Sequence, residues 1–97
     1  MQLKNRKQTL SVTKKGKMKM ITKKIIMNEV DSVKDFVRIT NKYPFNVLLA
    51  MSHYVVDGKS LLGVFSLDFS RPIELRIEAD DNSVTDYLNE IREYICD

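Results

Sequence analysis

With a single cysteine, Cys96, the chain cannot form an intrachain disulfide, a usage that suits a reducing cytoplasm. It has one histidine, His53, and so no Cys/His cluster for a metal, and no Ser-His-Asp arrangement stands out. Two prolines and three glycines are too few for a linker-rich or low-complexity protein. No apolar run approaches the roughly 18–20 residues that span a bilayer. The basic N-terminus is not followed by the apolar segment of a secretory signal. What remains is one cytoplasmic domain with an ordinary 43% of hydrophobic residues, no membrane span and no expected cofactor.

The net charge of +3 hides an asymmetry. Residues 1–24 carry nine basic side chains and no acidic one, whereas the rest carries seven basic and thirteen acidic, a balance of −6. A basic tail precedes an acidic domain. Up to about Gly16 the tail has little hydrophobic periodicity and cannot bury enough apolar surface to offset its ordering entropy. Residues 1–18 are therefore expected to be a disordered extension, and residues 19–97 the folded domain. Lysine clusters also attract phosphate, so a nucleic-acid arm is an alternative, but the tail has no aromatic residue for base stacking and only one arginine, Arg6. Lys14-Lys15-Gly16-Lys17-Met18 would be encoded by a purine-rich stretch resembling a ribosome-binding site, which makes Met18 or Met20 an alternative first residue.

Periodicity divides the domain into seven elements. Lys19 to about Asn28 mixes β-branched and apolar residues with lysines, as a strand does. Asp31-Ser32 offers capping oxygens, and Ser32 to Asp35 has capping-box spacing. Val33, Phe36, Val37 and Thr40 then recur at helical spacing, and the helix stops before Pro44. Phe45–Met51 is a strand with Phe45, Val47, Leu49 and Met51 on one face. Ser52-His53 makes a turn, His53–Val56 a short return strand, Asp57-Gly58 a second turn and Ser60–Leu67 a short helix. In Pro72–Ala79, Ile73, Leu75, Ile77 and Ala79 alternate with Glu74, Arg76 and Glu78, so one face is buried and the other wet. Asp80, Asp81 and Asp68 read as turn and cap residues rather than metal ligands. Ser83 to Asp86 repeats the capping spacing ahead of a helix whose apolar stripe is Val84, Leu88, Ile91 and Ile95. The order β-α-β-β-α-β-α predicts an α+β sandwich, a four-stranded antiparallel sheet covered on one face by three helices.

One segment is more specific than these patterns. Asn41-Lys42-Tyr43, followed at fixed distance by Lys59-Ser60-Leu61-Leu62-Gly63-Val64-Phe65-Ser66-Leu67, resembles the HPr family, the small phosphocarrier proteins of the bacterial sugar phosphotransferase system. The resemblance covers about Lys19 to Asp97 and implies that family's open-faced sandwich. Family members carry phosphate on a histidine just ahead of the first helix, in a His-Ala-Arg-Pro motif. Nothing here matches it. Extending the match without gaps puts Glu29 at the histidine, Asp31 at the arginine and Ser32 at the proline. No histidine precedes His53, and no arginine lies between Arg6 and Arg38. Carboxylates at Glu29 and Asp31 would repel an incoming phosphoryl group. His53, at a strand turn, reads as a solvated surface residue rather than a substitute carrier.

Ser60 falls at the family's second phosphorylation site, a serine modified by a dedicated kinase. A phosphate there would meet helix-start amides, with Lys59 as a neighbouring charge. Ser60 is equally well placed as a plain N-cap. Lys59, Leu61, Leu62 and Phe65 are the expected docking residues, the three apolar ones matching a patch that docks partners in the family, whereas Val64 and Leu67 suit the core. Gly58-Lys59-Ser60 also ends like a P-loop, but that motif needs glycine where His53 stands. The expected protein is an HPr-like, non-catalytic regulatory module. The resemblance implies protein partners: an HPr kinase-like enzyme, a transcription regulator or phosphotransferase components. A phosphocarrier using a non-standard residue and a nucleic-acid module acting through the tail are the alternatives.

Overall fold

The computed structural model describes residues 19–79 and 82–96. The basic extension over residues 1–18, the alternative starts and Asp80-Asp81 lie outside or at the margin of that range: of the residues just named, Met20 alone is described. The elements are β1 (Lys19–Ile25), α1 (Val30–Thr40), β2 (Asn46–Met51), β3 (Tyr54–Asp57), α2 (Leu61–Phe65), β4 (Ile73–Ala79) and α3 (Asn82–Glu90), followed by a 3-10 turn at Arg92–Tyr94. The strands form one antiparallel sheet in the order β1-β4-β2-β3. This is the expected β-α-β-β-α-β-α open-faced sandwich.

The sheet follows from the alternation. Ile73, Leu75, Ile77 and Ala79 of β4 are buried, while Glu74, Arg76 and Glu78 between them are half-exposed. The register aligns Ile77 with Ile21 and Val47, and Leu75 with Leu49, so the apolar residues of three strands share the covered face. Val33, Phe36 and Val37 from α1, Val64 from α2, and Val84, Tyr87 and Ile91 from the C-terminal helix close over it. Each fully buried large apolar side chain stabilises the fold by about 1.5–3 kcal/mol.

Both expected capping boxes are corrected. Glu29, not Ser32, is the N-cap of α1, and it makes no side-chain cap bond. Asn28 adopts φ 57, and the amides of Met27 and Asn28 both reach Phe69 O, at 3.3 and 3.4 Å. This long-range tether turns the chain early, and α1 begins two residues before Ser32. Asp35, expected to close the box, instead accepts from Arg38 and Tyr94. Ser83 lies inside α3, which starts at Asn82. The C-terminal stripe also shifts. Val84, Tyr87, Ile91 and Tyr94 are buried, and Leu88 and Ile95 only flank the core. A 3-10 turn has three residues per turn instead of 3.6, so it rotates Tyr94 inward and frees Ile95. Ile95 bridges to Ile25, and Cys96 N donates to Lys24 O at 2.9 Å. The C-terminal segment thereby covers part of the β1 edge, which would otherwise be open to pairing.

Strand and helix ends differ slightly from expectation. β1 stops at Ile25 rather than near Asn28, β3 begins at Tyr54 rather than His53, and α2 is confined to Leu61–Phe65. Phe45 precedes β2 but is buried. It stacks on Tyr43 with ring centroids 5.4 Å apart and meets Tyr87 edge-on at 5.4 Å.

Candidate functional site

The two halves of the sequence motif, eighteen residues apart, meet in space. Asn41 caps α1, with its Nδ2 donating to Val37 O at 2.9 Å and to Lys59 O at 3.0 Å. Lys59 Nζ donates to Tyr43 O at 2.6 Å. The Lys59 ammonium is therefore engaged with the loop after α1, not free beside Ser60 as its sequence position suggested. Asp57 Oδ1 accepts from Lys59 N at 2.9 Å, and Gly58 N donates to Val47 O at 2.8 Å. These bonds fix the turn that presents Ser60.

Ser60 is the N-cap of α2. Its backbone is extended (φ −101, ψ 113), and its Oγ accepts from Gly63 N at 3.1 Å. A Cβ on Gly63 would lie 3.2 Å from Ser60 Oγ and 3.4 Å from Val56 Cβ, so glycine lets this first helical turn close against the cap. Val64 and Leu67 are core residues, as expected. Leu61 is 38% exposed and Leu62 83%, while Phe65 is half-buried with its ring 5.9 Å from that of Phe69.

The α1 start lies at the other end of α2. Asn28 is tied to Phe69, whose ring meets that of Phe65 edge-on, while Asn41 at the end of α1 is tied to Lys59. The two helices thus run side by side in opposite directions. Glu29, the 49%-exposed Val30 and Asp31 directly follow Asn28, which is tethered to Phe69 just beyond the C-terminal end of α2. His53 is exposed in the β2–β3 turn, apart from these residues. A cavity of about 570 Å³, lined among others by Lys24, Tyr54, Asp68 and Arg71, includes neither Ser60 nor Glu29. Among the described residues, no group of three His, Cys, Asp or Glu side chains is placed to hold a metal ion, and no helix is long and apolar enough to cross a membrane.

A polar seam, not legible in the sequence, fastens the C-terminal elements to α1. Glu90 accepts from Lys42 Nζ at 2.6 Å and from the Tyr43 hydroxyl. Asp35 accepts from Arg38 at 2.5 Å and from Tyr94 OH at 2.7 Å. The Lys42 bond and then the Tyr43 bond hold the Glu90 carboxyl below its ordinary range. Donation from Tyr94 and then Arg38 does the same for Asp35. The bond to Glu90 pushes the Tyr43 hydroxyl up to about 12. Burial, followed by the bond to Asp35, raises Tyr94, and burial raises Tyr87.

These shifts set both limits of a pH profile. Asp35 and Glu90 release protons more readily when folded, so their contribution is present above the unfolded values of 3.8 and 4.5 and is lost as pH falls through the lower folded ones. The tyrosines hold protons more tightly when folded. Their contribution is complete below the unfolded value of 10.0 and is lost as pH rises through the folded ones. Urea midpoints followed by far-UV circular dichroism are expected to be flat near neutrality and to fall below about pH 4.5 and above about pH 10. Glu90→Gln is expected to flatten part of the acid limb.

No protein-family model matches the chain, and no curated protein matches it. Solved structures do. The sandwich and its helix-capping turn define the class first: an HPr-like fold. A structure of HPr-C-His from Thermoanaerobacter tengcongensis is similar at TM-score 0.60 and 21% identity, covering 77% of this chain and 88% of that one. The phosphocarrier protein HPr from Bacillus anthracis str. Ames gives TM-score 0.61 at 17% identity, covering 79% and 98%. The histidine-containing phosphocarrier protein of a Mycoplasma gives 0.57 at 15%, covering 77% and 89%. The chain thus has the fold of these phosphocarriers, with a sequence far diverged from theirs.

Proposed function

We propose that this chain is a non-carrier regulatory or binding module on an HPr-like scaffold, related to the phosphoenolpyruvate-dependent sugar phosphotransferase system. In this reading Ser60 is a phosphorylation switch, and Leu61, Leu62 and Phe65, braced by Lys59, form the docking surface. The observation that carries it is the exposure of Leu62, 83%, two residues after a helix-capping serine, on a helix too short to need that leucine for its own packing. A large exposed apolar side chain beside a modifiable hydroxyl suits a switchable protein contact. The α1 start supports the non-carrier half, because Glu29 and Asp31 stand where the resemblance puts the carrier histidine and its arginine.

Modification would transfer the γ-phosphoryl group of ATP to Ser60 Oγ, with ADP leaving and the hydroxyl proton released. Gly63 N, already 3.1 Å from Oγ, is the amide nearest to such a phosphate. The family kinase with ATP is expected to label the wild type and not Ser60→Ala. Label on Ser60→Ala, or none on the wild type, removes the switch. Incubation with phosphoenolpyruvate and the general phosphotransferase enzyme is expected to leave no acid-labile label; such label would establish a phosphocarrier using another residue. Leu62→Asp is expected to leave the urea midpoint unchanged and to abolish partner binding. DNA binding that vanishes with salt and on removal of residues 1–18 would instead support the nucleic-acid alternative.

A further inference from the structure

Resting on the docking reading above, we infer that the α1–α2 face selects a protein partner whose apolar contact is flanked by basic side chains. The apolar part is Leu62 and Leu61 on α2, with Val30 at the start of α1, exposed by 83%, 38% and 49%. Val30 continues the Val33/Val37 stripe of α1 but lies beyond the edge of the core, so its surface is available. Flanking it in sequence are Glu29 and Asp31, both exposed, and neither belongs to an ion pair among the described residues.

Among the described residues, the nearby cations cancel this charge only in part. Lys59 Nζ is held by Tyr43 O, at the Leu61 end of the face and away from Glu29 and Asp31. Arg38 is occupied by Asp35. Lys34, one turn after Asp31, is exposed and makes no ion pair among the described residues. Among the described residues, two carboxylates against the one free ammonium of Lys34 leave the α1 end of the face apolar with carboxylates in excess. Unlike charges facing such a rim favour encounter and register, and like charges oppose it.

The test uses two synthetic amphipathic helical peptides with the same leucine face, one flanked by arginines and one by glutamates. Each is titrated into the full-length, isotope-labelled chain while backbone amide shifts are followed. The arginine peptide is expected to shift residues 29–31 and 61–65 together and to bind more weakly as salt rises. Glu29→Gln with Asp31→Asn is expected to weaken it about tenfold. Glu29→Lys with Asp31→Lys is expected to reverse the preference, with unchanged circular dichroism. Equal binding of both peptides at 61–65 overturns the inference while leaving the docking reading intact. Arginine-peptide shifts confined to Asp86, Glu90 and Glu93 on the C-terminal elements also overturn it. No shift at 61–65 with either peptide overturns both.

Discussion

Tyr87→Ala is expected to lower the unfolding free energy by about 3–5 kcal/mol, the cost of removing a buried aromatic ring and leaving a cavity. Tyr87 is fully buried, and its ring lies 5.1 Å from that of Tyr43 and 5.4 Å from that of Phe45. Its hydroxyl is 2.7 Å from the Thr40 hydroxyl, and Thr40 Oγ1 is 2.7 Å from Phe36 O. A carbonyl can only accept, so Thr40 spends its proton on Phe36 O and Tyr87 donates to Thr40. Tyr87→Phe keeps the ring and removes only that donor. Thr40 retains its own bond, so the expected cost is about 1 kcal/mol. Equilibrium urea unfolding of the two variants separates ring from hydroxyl. Equal losses for both would show that the hydrogen bond, not the packing, holds the C-terminal helix on α1.

Gly58→Val is expected to destabilise by about 1–3 kcal/mol and to displace the Ser60 turn. A Cβ at Gly58 would lie 2.8 Å from Val47 Cγ1 and 3.1 Å from Val47 O, and neither a stiff β-branched side chain nor a central-strand carbonyl can move aside cheaply. The same residue donates its amide to Val47 O at 2.8 Å. Bulk at Gly58 must therefore push the 57–60 turn off β2, weakening the Asn41–Lys59 and Lys59–Tyr43 bonds. Amide shifts at Ser60 and Gly63 are the readout. Gly58→Ala is expected to show the same pattern with a smaller loss. An unperturbed Gly63 amide in Gly58→Val would show that α2 is positioned independently of the turn.

Local periodicity served well where burial is one-sided. In β4 every other residue is apolar, and the structure buries those four and no others. The α1 stripe of Val33, Phe36, Val37 and Thr40 is buried in the same way. The Ser60 cap was legible because an Asp-Gly turn followed by a serine and an apolar run has few other uses. Capping failed at Ser32 because the competing interaction was remote. Phe69 O, some forty residues away, takes the Met27 and Asn28 amides, and Tyr94, fifty-nine residues away, takes Asp35. Tyr87 and Leu88 both fit a 3.6-residue period counted from Val84, at i+3 and i+4, and only the rings of Tyr43 and Phe45 select Tyr87 for the core. At Tyr94 the 3-10 turn changes the period, and no residue type at Arg92–Tyr94 marks it. By sequence position Lys59 is a charge beside Ser60, and its acceptor, a backbone carbonyl, has no signature in the residue types.

The candidate surface divides in the same way. The residue types at Glu29, Asp31, Ser60, Leu61, Leu62 and Phe65, and the helices and turns that hold them, follow from local pattern, since each depends on neighbours within a turn or two. Their arrangement as one face depends on contacts between distant segments: Asn41 with Lys59, Asn28 with Phe69, Phe69 with Phe65. Sequence alone determined the elements, the sheet's buried side and the absence of a histidine ahead of the first helix. Only the tertiary structure decided that Lys59 is tied down, that Tyr87 anchors the C-terminal helix, and that α1 and α2 are fastened to each other at both ends. Hydrogen bonds and packing between remote segments carry no local period, and they become visible only once the chain has closed on itself.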